Sequence, residues 1–196
     1  MRKRDPEKEE AVKTKAIDML VNDGFEGFSM NKLARACGIS VATLYIYYRD
    51  KDDLILSIAA EKFREMSEAV LGDFDPEADF ETGMRKQWEN RYRFMTERPV
   101  ITRLLEQFRS SSYQQRVIPD ISRAFKEKMG AFVKSAVKRG EIGQMSIETF
   151  WCVAFAPLYA LLRFHEEGRN MAGQPFTVNE AILWQTFTFV MKALKL

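Results

Sequence analysis

Residues 29–51 read Ser-Met-Asn-Lys-Leu-Ala-Arg-Ala-Cys-Gly-Ile-Ser-Val-Ala-Thr-Leu-Tyr-Ile-Tyr-Tyr-Arg-Asp-Lys. This stretch predicts two short helices joined by a tight turn. Ser29 is an N-cap residue, and apolar Met30, Leu33 and Ala34 follow it at helical spacing. Gly38 ends the first helix, because a residue without Cβ takes a positive φ at no steric cost. Ser40 then caps a second helix over 41–48. Ala34 and Ala42 are small enough to let the two helices cross closely. The layout is that of a helix-turn-helix, whose second helix lies in the major groove of duplex DNA.

The chain on either side also reads as helix, and no long stretch alternates apolar and polar residues at the period of a strand. The expected fold class is therefore all-α. A first helix over 7–22 starts after Pro6, carries Val12, Ala16, Met19 and Leu20 on one stripe, and ends at Asp23-Gly24. Phe25 and Phe28 should pack under the two short helices. Asp50 caps a longer helix over 51–71, with Ile55, Ala59, Phe63, Met66 and Val70 on one face and a break at 72–76. A fifth helix over 80–97 puts Met84, Trp88, Tyr92 and Met95 in register. Pro99 opens a sixth with Leu104, Leu105 and Phe108 inward, and Pro119 opens a seventh that reaches Arg139, with Ile121, Phe125, Met129 and Phe132 on its stripe. The segment 147–165 is apolar all round and should bend at Pro157; 179–196 is similarly apolar. Such a pair can be central in one chain, or can pack inward and also cover a partner. The second reading is preferred, because a helix-turn-helix works as two copies about one DNA turn apart.

Composition narrows the function classes. The 196 residues carry a net charge of only +2, so bulk charge does not by itself point to nucleic acid. Arg2, Lys3 and Arg4 read either as a phosphate-contacting arm or as a disordered terminus. Cys37 and Cys152 have no Cys or His near them and His165 is the only histidine, so no metal or other cofactor is expected and both cysteines read as small core residues. No glycine-rich phosphate loop, G-x-S-x-G or H-E-x-x-H occurs, which argues against an enzyme. The first residues lack an apolar signal core, and the apolar run 150–162 is too short to span a bilayer. A cytoplasmic protein without a membrane partner is expected.

Across 29–51 the chain resembles the TetR/AcrR family of bacterial transcriptional regulators. Leu33-Ala34, Ala36-Cys37-Gly38, Ile39-Ser40, Thr43-Leu44-Tyr45 and Lys51 match that family's pattern, as do Gly24-Phe25 and Phe28-Ser29 before it. The match covers about the first quarter of the chain. Tyr47-Tyr48 stands where many relatives have His-Phe, and Ile46 where a polar residue is common. The resemblance implies a homodimeric repressor. Residues 1–50 would be a three-helix DNA-binding head, and 51–196 a helical ligand-binding and dimerisation body that pairs through its last two helices. A helical protein-interaction adaptor without DNA binding is the alternative reading.

On this reading Val41, Ala42, Thr43, Ile46 and Tyr47 lie on the exposed side of the recognition helix, with Leu44 and Tyr48 inward. Thr43 suits a phosphate or a thymine methyl, and the Tyr45 and Tyr47 hydroxyls suit phosphate oxygens. Lys51, at the start of the fourth helix, joins its charge to a helix N-terminus, and Ser29 and Asn31 do likewise on the second helix. Ser29 reads equally as a cap only, Tyr45 as half-buried, and Lys51 as a solvated lysine. In the body, Phe63, Met66, Trp88, Tyr92, Phe108, Phe125, Met129, Trp151, Phe155 and Tyr159 read either as packed core or as the wall of a pocket for a small apolar or amphipathic effector. The double-stranded operator and the effector are the two partners expected besides a second copy.

Overall fold

The computed structural model describes residues 5–196, giving the backbone alone for 117–124. The basic run Arg2-Lys3-Arg4 therefore lies outside the described residues. Ten helices follow one another: α1 Pro6–Gly27, α2 Met30–Ala36, α3 Val41–Tyr47, α4 Lys51–Leu71, α5 Phe80–Glu97, α6 Pro99–Arg109, α7 Gln114–Lys138, α8 Ile147–Ala154, α9 Ala156–Glu167 and α10 Glu180–Leu194. Among the described residues the only β pairing is two isolated bridges. The fold is all-α, as the periodicity predicts.

The local signals act where they were read. The Lys32 N–H donates to Ser29 Oγ (3.2 Å), the Thr43 N–H to Ser40 Oγ (3.2 Å) and the Asp53 N–H to Asp50 Oδ1 (2.8 Å). Gly38 holds φ +65° between α2 and α3, where a side chain would be strained. Gly24 at φ +69° kinks α1, and a last helical turn continues to Gly27. Two boundaries and one burial differ from the sequence reading. The turn at 111–113, closed by the Gln114 N–H on the Ser111 carbonyl (3.1 Å), starts α7 ahead of Pro119. The segment 147–165 bends as expected near Pro157, by 42°, but the bend splits it at Phe155 into two helices. Cys152 is exposed, since it lies on the outward side of α8, and is not a core residue.

The described chain packs as two compact units. The first holds the residues up to Glu65 together with Val100–Ile121; the second holds Met66–Pro99 and Ser122–Leu196. Packing thus carries the first unit past residue 50, and α4 runs from one unit into the other. In the first, Val12, Ala16, Leu20, Phe28, Leu33, Leu44, Leu54, Ile55 and Ile58 are buried. Phe25 was expected beneath α2 and α3, but its ring lies 5.0 Å from Phe108 on α6 and 5.1 Å from Tyr113. Lys13 and the buried Lys62 both donate to Glu61, which ties α1 to α4.

In the second unit α5, α8, α9 and α10 pack on one another. Trp88 is fully buried and its indole N–H donates to the Ala154 carbonyl (2.9 Å), with Phe187 edge-on at 5.3 Å. Phe132 is fully buried, stacked on Phe80 (5.6 Å) and edge-on to Phe74 (5.1 Å). It packs directly over Gly83, where an added Cβ would stand 2.3 Å from Phe132 Cε2. Gly83→Ala is therefore expected to destabilise the protein: overpacking costs about 1–3 kcal/mol, offset in part by the ~1 kcal/mol of better helix propensity. A lower urea midpoint checks this, and an unchanged or higher one would show that the ring has room to move. Among the described residues no single helix is long and apolar enough to cross a membrane.

Candidate nucleic-acid interface

α2 and α3 pack together, and α3 presents one side outward. The capping serine sets the start of α3, so that positions 44, 47 and 48 turn inward and 42, 45 and 46 outward. Leu44 is fully buried and Tyr48 buried; Ala42 is exposed, and Tyr45 and Ile46 are 52% and 37% exposed. Val41 and Thr43 are half-buried, and the Thr43 hydroxyl lies 2.8 Å from Ser40 Oγ. On α2, Asn31 is exposed and Ser29 is half-buried and used as the cap. Lys51 is half-buried, and its Nζ donates to the Phe25 carbonyl (2.6 Å) at the end of α1. The structure thus brings Ser29, Asn31, Val41, Ala42, Thr43, Tyr45, Ile46 and Lys51 into one compact unit.

Tyr47 is the correction. The sequence reading put it on the exposed side, but it is only 9% exposed. Its hydroxyl accepts the Asp5 N–H at 3.1 Å, and its ring sits 6.4 Å from that of Tyr48. Position 47 follows Leu44 by three residues and therefore shares its inward side. The Tyr48 hydroxyl donates to Glu9 Oε1 (3.4 Å); burial first, then the Glu9 charge, pushes this phenol well above its ordinary pKa. The paired tyrosines hold α3 against the start of α1.

Cations close to α3 are engaged with the protein itself. The Arg49 guanidinium bonds Asp53 (3.0 Å), which raises its pKa, and Lys32 Nζ donates to the Gly27 carbonyl (2.7 Å). A further cluster went unseen in the sequence. Asp52, in the first turn of α4, accepts the Tyr113 hydroxyl (2.7 Å) and Arg116 (2.6 Å), which hold its carboxyl below the usual range. Burial and that carboxylate push Tyr113 up to about 12. The partners are 61 and 64 residues apart, and no local pattern signals them.

The ten residues read as pocket wall are divided. Phe63 and Phe108 pack in the first unit, ring centroids 6.2 Å apart, and the other eight belong to the second. Of those, Trp88, Met129 and Phe155 are buried, and Met66, Tyr92, Phe125, Trp151 and Tyr159 are half-buried beside the core. The Trp88 N–H is taken by the Ala154 carbonyl. The polar group among these rings is Arg91. It is buried, lies 4.4 Å from the Phe155 ring, 5.2 Å from Phe125 and 5.6 Å from Trp151, and donates to the Tyr159 hydroxyl (3.2 Å) and Gln87 Oε1 (3.1 Å). Among the described residues no group of three or more His, Cys, Asp or Glu is placed to hold a metal.

Residues 14–58 match the model of a family described as bacterial regulatory proteins, tetR family. Over its whole length the chain is similar to a TetR family transcription regulator from Marinobacter aquaeolei VT8, with 27% identity, 99% of that chain covered and a TM-score of 0.78. A TetR-family transcriptional regulator from Haemophilus influenzae Rd shares the fold, at 22% identity, full coverage of both chains and a TM-score of 0.76. Among curated proteins, an HTH-type transcriptional regulator of Haemophilus influenzae is 27% identical over 128 residues, 65% of this chain and 67% of that one. A fatty acid metabolism regulator protein of Bacillus subtilis is 25% identical over 63 residues, 32% of each chain.

Proposed function

We propose that this chain, which matches the tetR family of bacterial regulatory proteins over residues 14–58, is a DNA-binding transcriptional regulator that represses transcription from a palindromic operator bound as a homodimer. The observation that carries this reading is the outward side of α3, where Ala42, Tyr45 and Ile46 are exposed on the second helix of a helix-turn-helix. Val41, Ala42, Thr43 and Ile46 meet the major groove; Ser29, Asn31, Tyr45 and Lys51 meet the phosphates that flank it. Tyr47 positions α3 from beneath. With Ile46 apolar, base reading at that point rests on contact with thymine methyl groups. Residues 1–50 read DNA, and 51–196 bind the effector and the second copy through α8, α9 and α10. The effector is a small apolar or amphipathic molecule: the rings around Arg91 supply apolar surface, and Arg91 with Tyr159 supplies polar donors. Its binding favours a spacing of the two heads that no longer fits two major grooves, with α4 as the lever because it is continuous from one unit into the other. The protein works in the cytoplasm, where its operator is.

The test is selection of an operator from a random-sequence duplex library, followed by binding of the double variant Tyr45→Ala, Ile46→Ala. Both side chains are exposed, so the fold should tolerate their loss to within about 0.5 kcal/mol. Operator affinity should fall about 10–100-fold, with affinity for an unrelated duplex nearly unchanged. A folded double variant that binds the selected operator as tightly as the wild type removes α3 as the reading element.

A further inference from the structure

The geometry points to Tyr113 and Arg116 as positioning residues for DNA binding: from the corner between α6 and α7 they clasp Asp52 and so hold the neighbouring Lys51 ready for a backbone phosphate. Lys51 acts here in the phosphate contact proposed above, on which the assignment rests. All of these residues belong to the first compact unit. Asp52 gives one carboxylate oxygen to each partner: Oδ1 accepts the Tyr113 hydroxyl at 2.7 Å and Oδ2 accepts Arg116 at 2.6 Å. Tyr113 is buried, and the corner that carries it is tied to itself. The Ser111 hydroxyl donates to the Phe108 carbonyl (2.9 Å) and accepts the Tyr113 N–H (3.2 Å), and the Arg116 N–H donates to the Tyr113 carbonyl (3.0 Å).

The corner reaches Lys51 by two routes. Along the backbone, Asp52 is the next residue in the first turn of α4. Through the rings, Phe108 and Tyr113 lie 5.0 and 5.1 Å from Phe25, and the Phe25 carbonyl accepts Lys51 Nζ at 2.6 Å. An ammonium has three donors, so this bond aims the Lys51 side chain and leaves donors for a phosphate. Charge gives the clasp a second task. The Lys51 and Asp52 charges act on one another. A loose carboxylate at the start of α4 would repel phosphate and compete for the ammonium. With both oxygens held at the corner, Asp52 is kept from that competition and Arg116 offsets its charge. The Arg116–Asp52 pair is half exposed on both sides, and such pairs add little to stability. Loss of Arg116 is therefore read in DNA affinity and not in unfolding.

The test is a double-mutant cycle in the full-length protein, on the selected operator and on an unrelated duplex at ~100 mM salt. Tyr113→Phe keeps the ring and removes the hydroxyl; Arg116→Gln removes the charge. Each should weaken binding to both duplexes alike by about three- to tenfold, because phosphates carry no sequence information. Arg116→Gln should leave the thermal midpoint unmoved. In a Lys51→Ala background the same two substitutions should change affinity by less than about twofold, since the group they position is gone. Wild-type affinity for both single variants overturns the clasp. So does an equal loss with and without Lys51, which would mean that Tyr113 and Arg116 support the fold in general. If Lys51→Ala itself binds both duplexes as tightly as the wild type, the Lys51 contact falls and the clasp with it. A weakened Lys51→Ala beside unaffected clasp variants overturns the clasp alone, which separates the two failures.

Discussion

Tyr47→Ala should unfold the first compact unit under conditions in which Ile46→Ala, one residue earlier, leaves it folded. Tyr47 is 9% exposed, against 37% for Ile46. Truncating a buried aromatic ring removes its transfer free energy and leaves a cavity that α3, held by Leu44 and Tyr48, cannot collapse to fill; the cost is about 3–4 kcal/mol. Loss of the hydroxyl also strips the Asp5 N–H of its acceptor at the entry to α1. A domain is stable by only about 5–15 kcal/mol in total, so a loss of that size is a large share of it. Urea unfolding followed by tyrosine fluorescence should show the midpoint displaced for Tyr47→Ala and nearly unmoved for Ile46→Ala. Equal midpoints would mean that Tyr47 is a surface residue after all. Operator binding by Tyr47→Ala falls because the reader is no longer held in shape, and the loss tracks the unfolded fraction.

Phe189→Asp is expected to turn the dimer into monomers and to weaken operator binding about 100-fold or more, since each head then binds its half-site without the other. Phe189 on α10 is 60% exposed and Ile147 on α8 58%, and α8 and α10 pack together in the second unit. The Lys192 ammonium lies 5.8 Å from the centre of the Phe189 ring. On the proposed reading, this open apolar ring is covered by the same surface of the second copy in a two-fold interface, where each substitution acts twice. A carboxylate there buries an unpaired charge on dimerisation but remains hydrated in the monomer, so the monomer's own unfolding midpoint should barely move. Sedimentation at micromolar concentration reads the result. A Phe189→Asp protein that stays dimeric with wild-type operator affinity would place the dimer interface on another face.

How much was legible depended on the distance over which each signal acts. Ser29, Ser40 and Asp50 were read as caps and cap, because a side chain that bonds an N–H three residues on needs no other part of the chain. The inward side of α3 was read correctly at Leu44 and Tyr48 and wrongly at Tyr47. Position 47 is near the border between the two sides of a seven-residue helix, and which way a border tyrosine turns is set by what is offered to its hydroxyl. Here that is the N–H of Asp5, 42 residues earlier. The aromatics of 51–196 read as one class, because spacing could not divide Phe63 and Phe108 from the rest. Those two meet one another, and Phe108 on α6 also meets Phe25, in the first unit. Cys152 was misjudged for a related reason: a helix apolar all round gives no sign of which side stays open.

The sequence by itself determined the helix-turn-helix, its caps, the positive-φ glycine between its helices and the resemblance to the tetR family over that stretch, because those features are written in side chains within four residues of the backbone groups they serve. The tertiary structure alone decided that Tyr47 is a buried strut, that Asp52 is held by Tyr113 and Arg116, and that Arg91 sits among Phe125, Trp151 and Phe155 with its charge against Tyr159. These contacts join residues 34 to 68 positions apart. Such pairs exist only after helices have packed, when burial makes every polar group left inside find a partner.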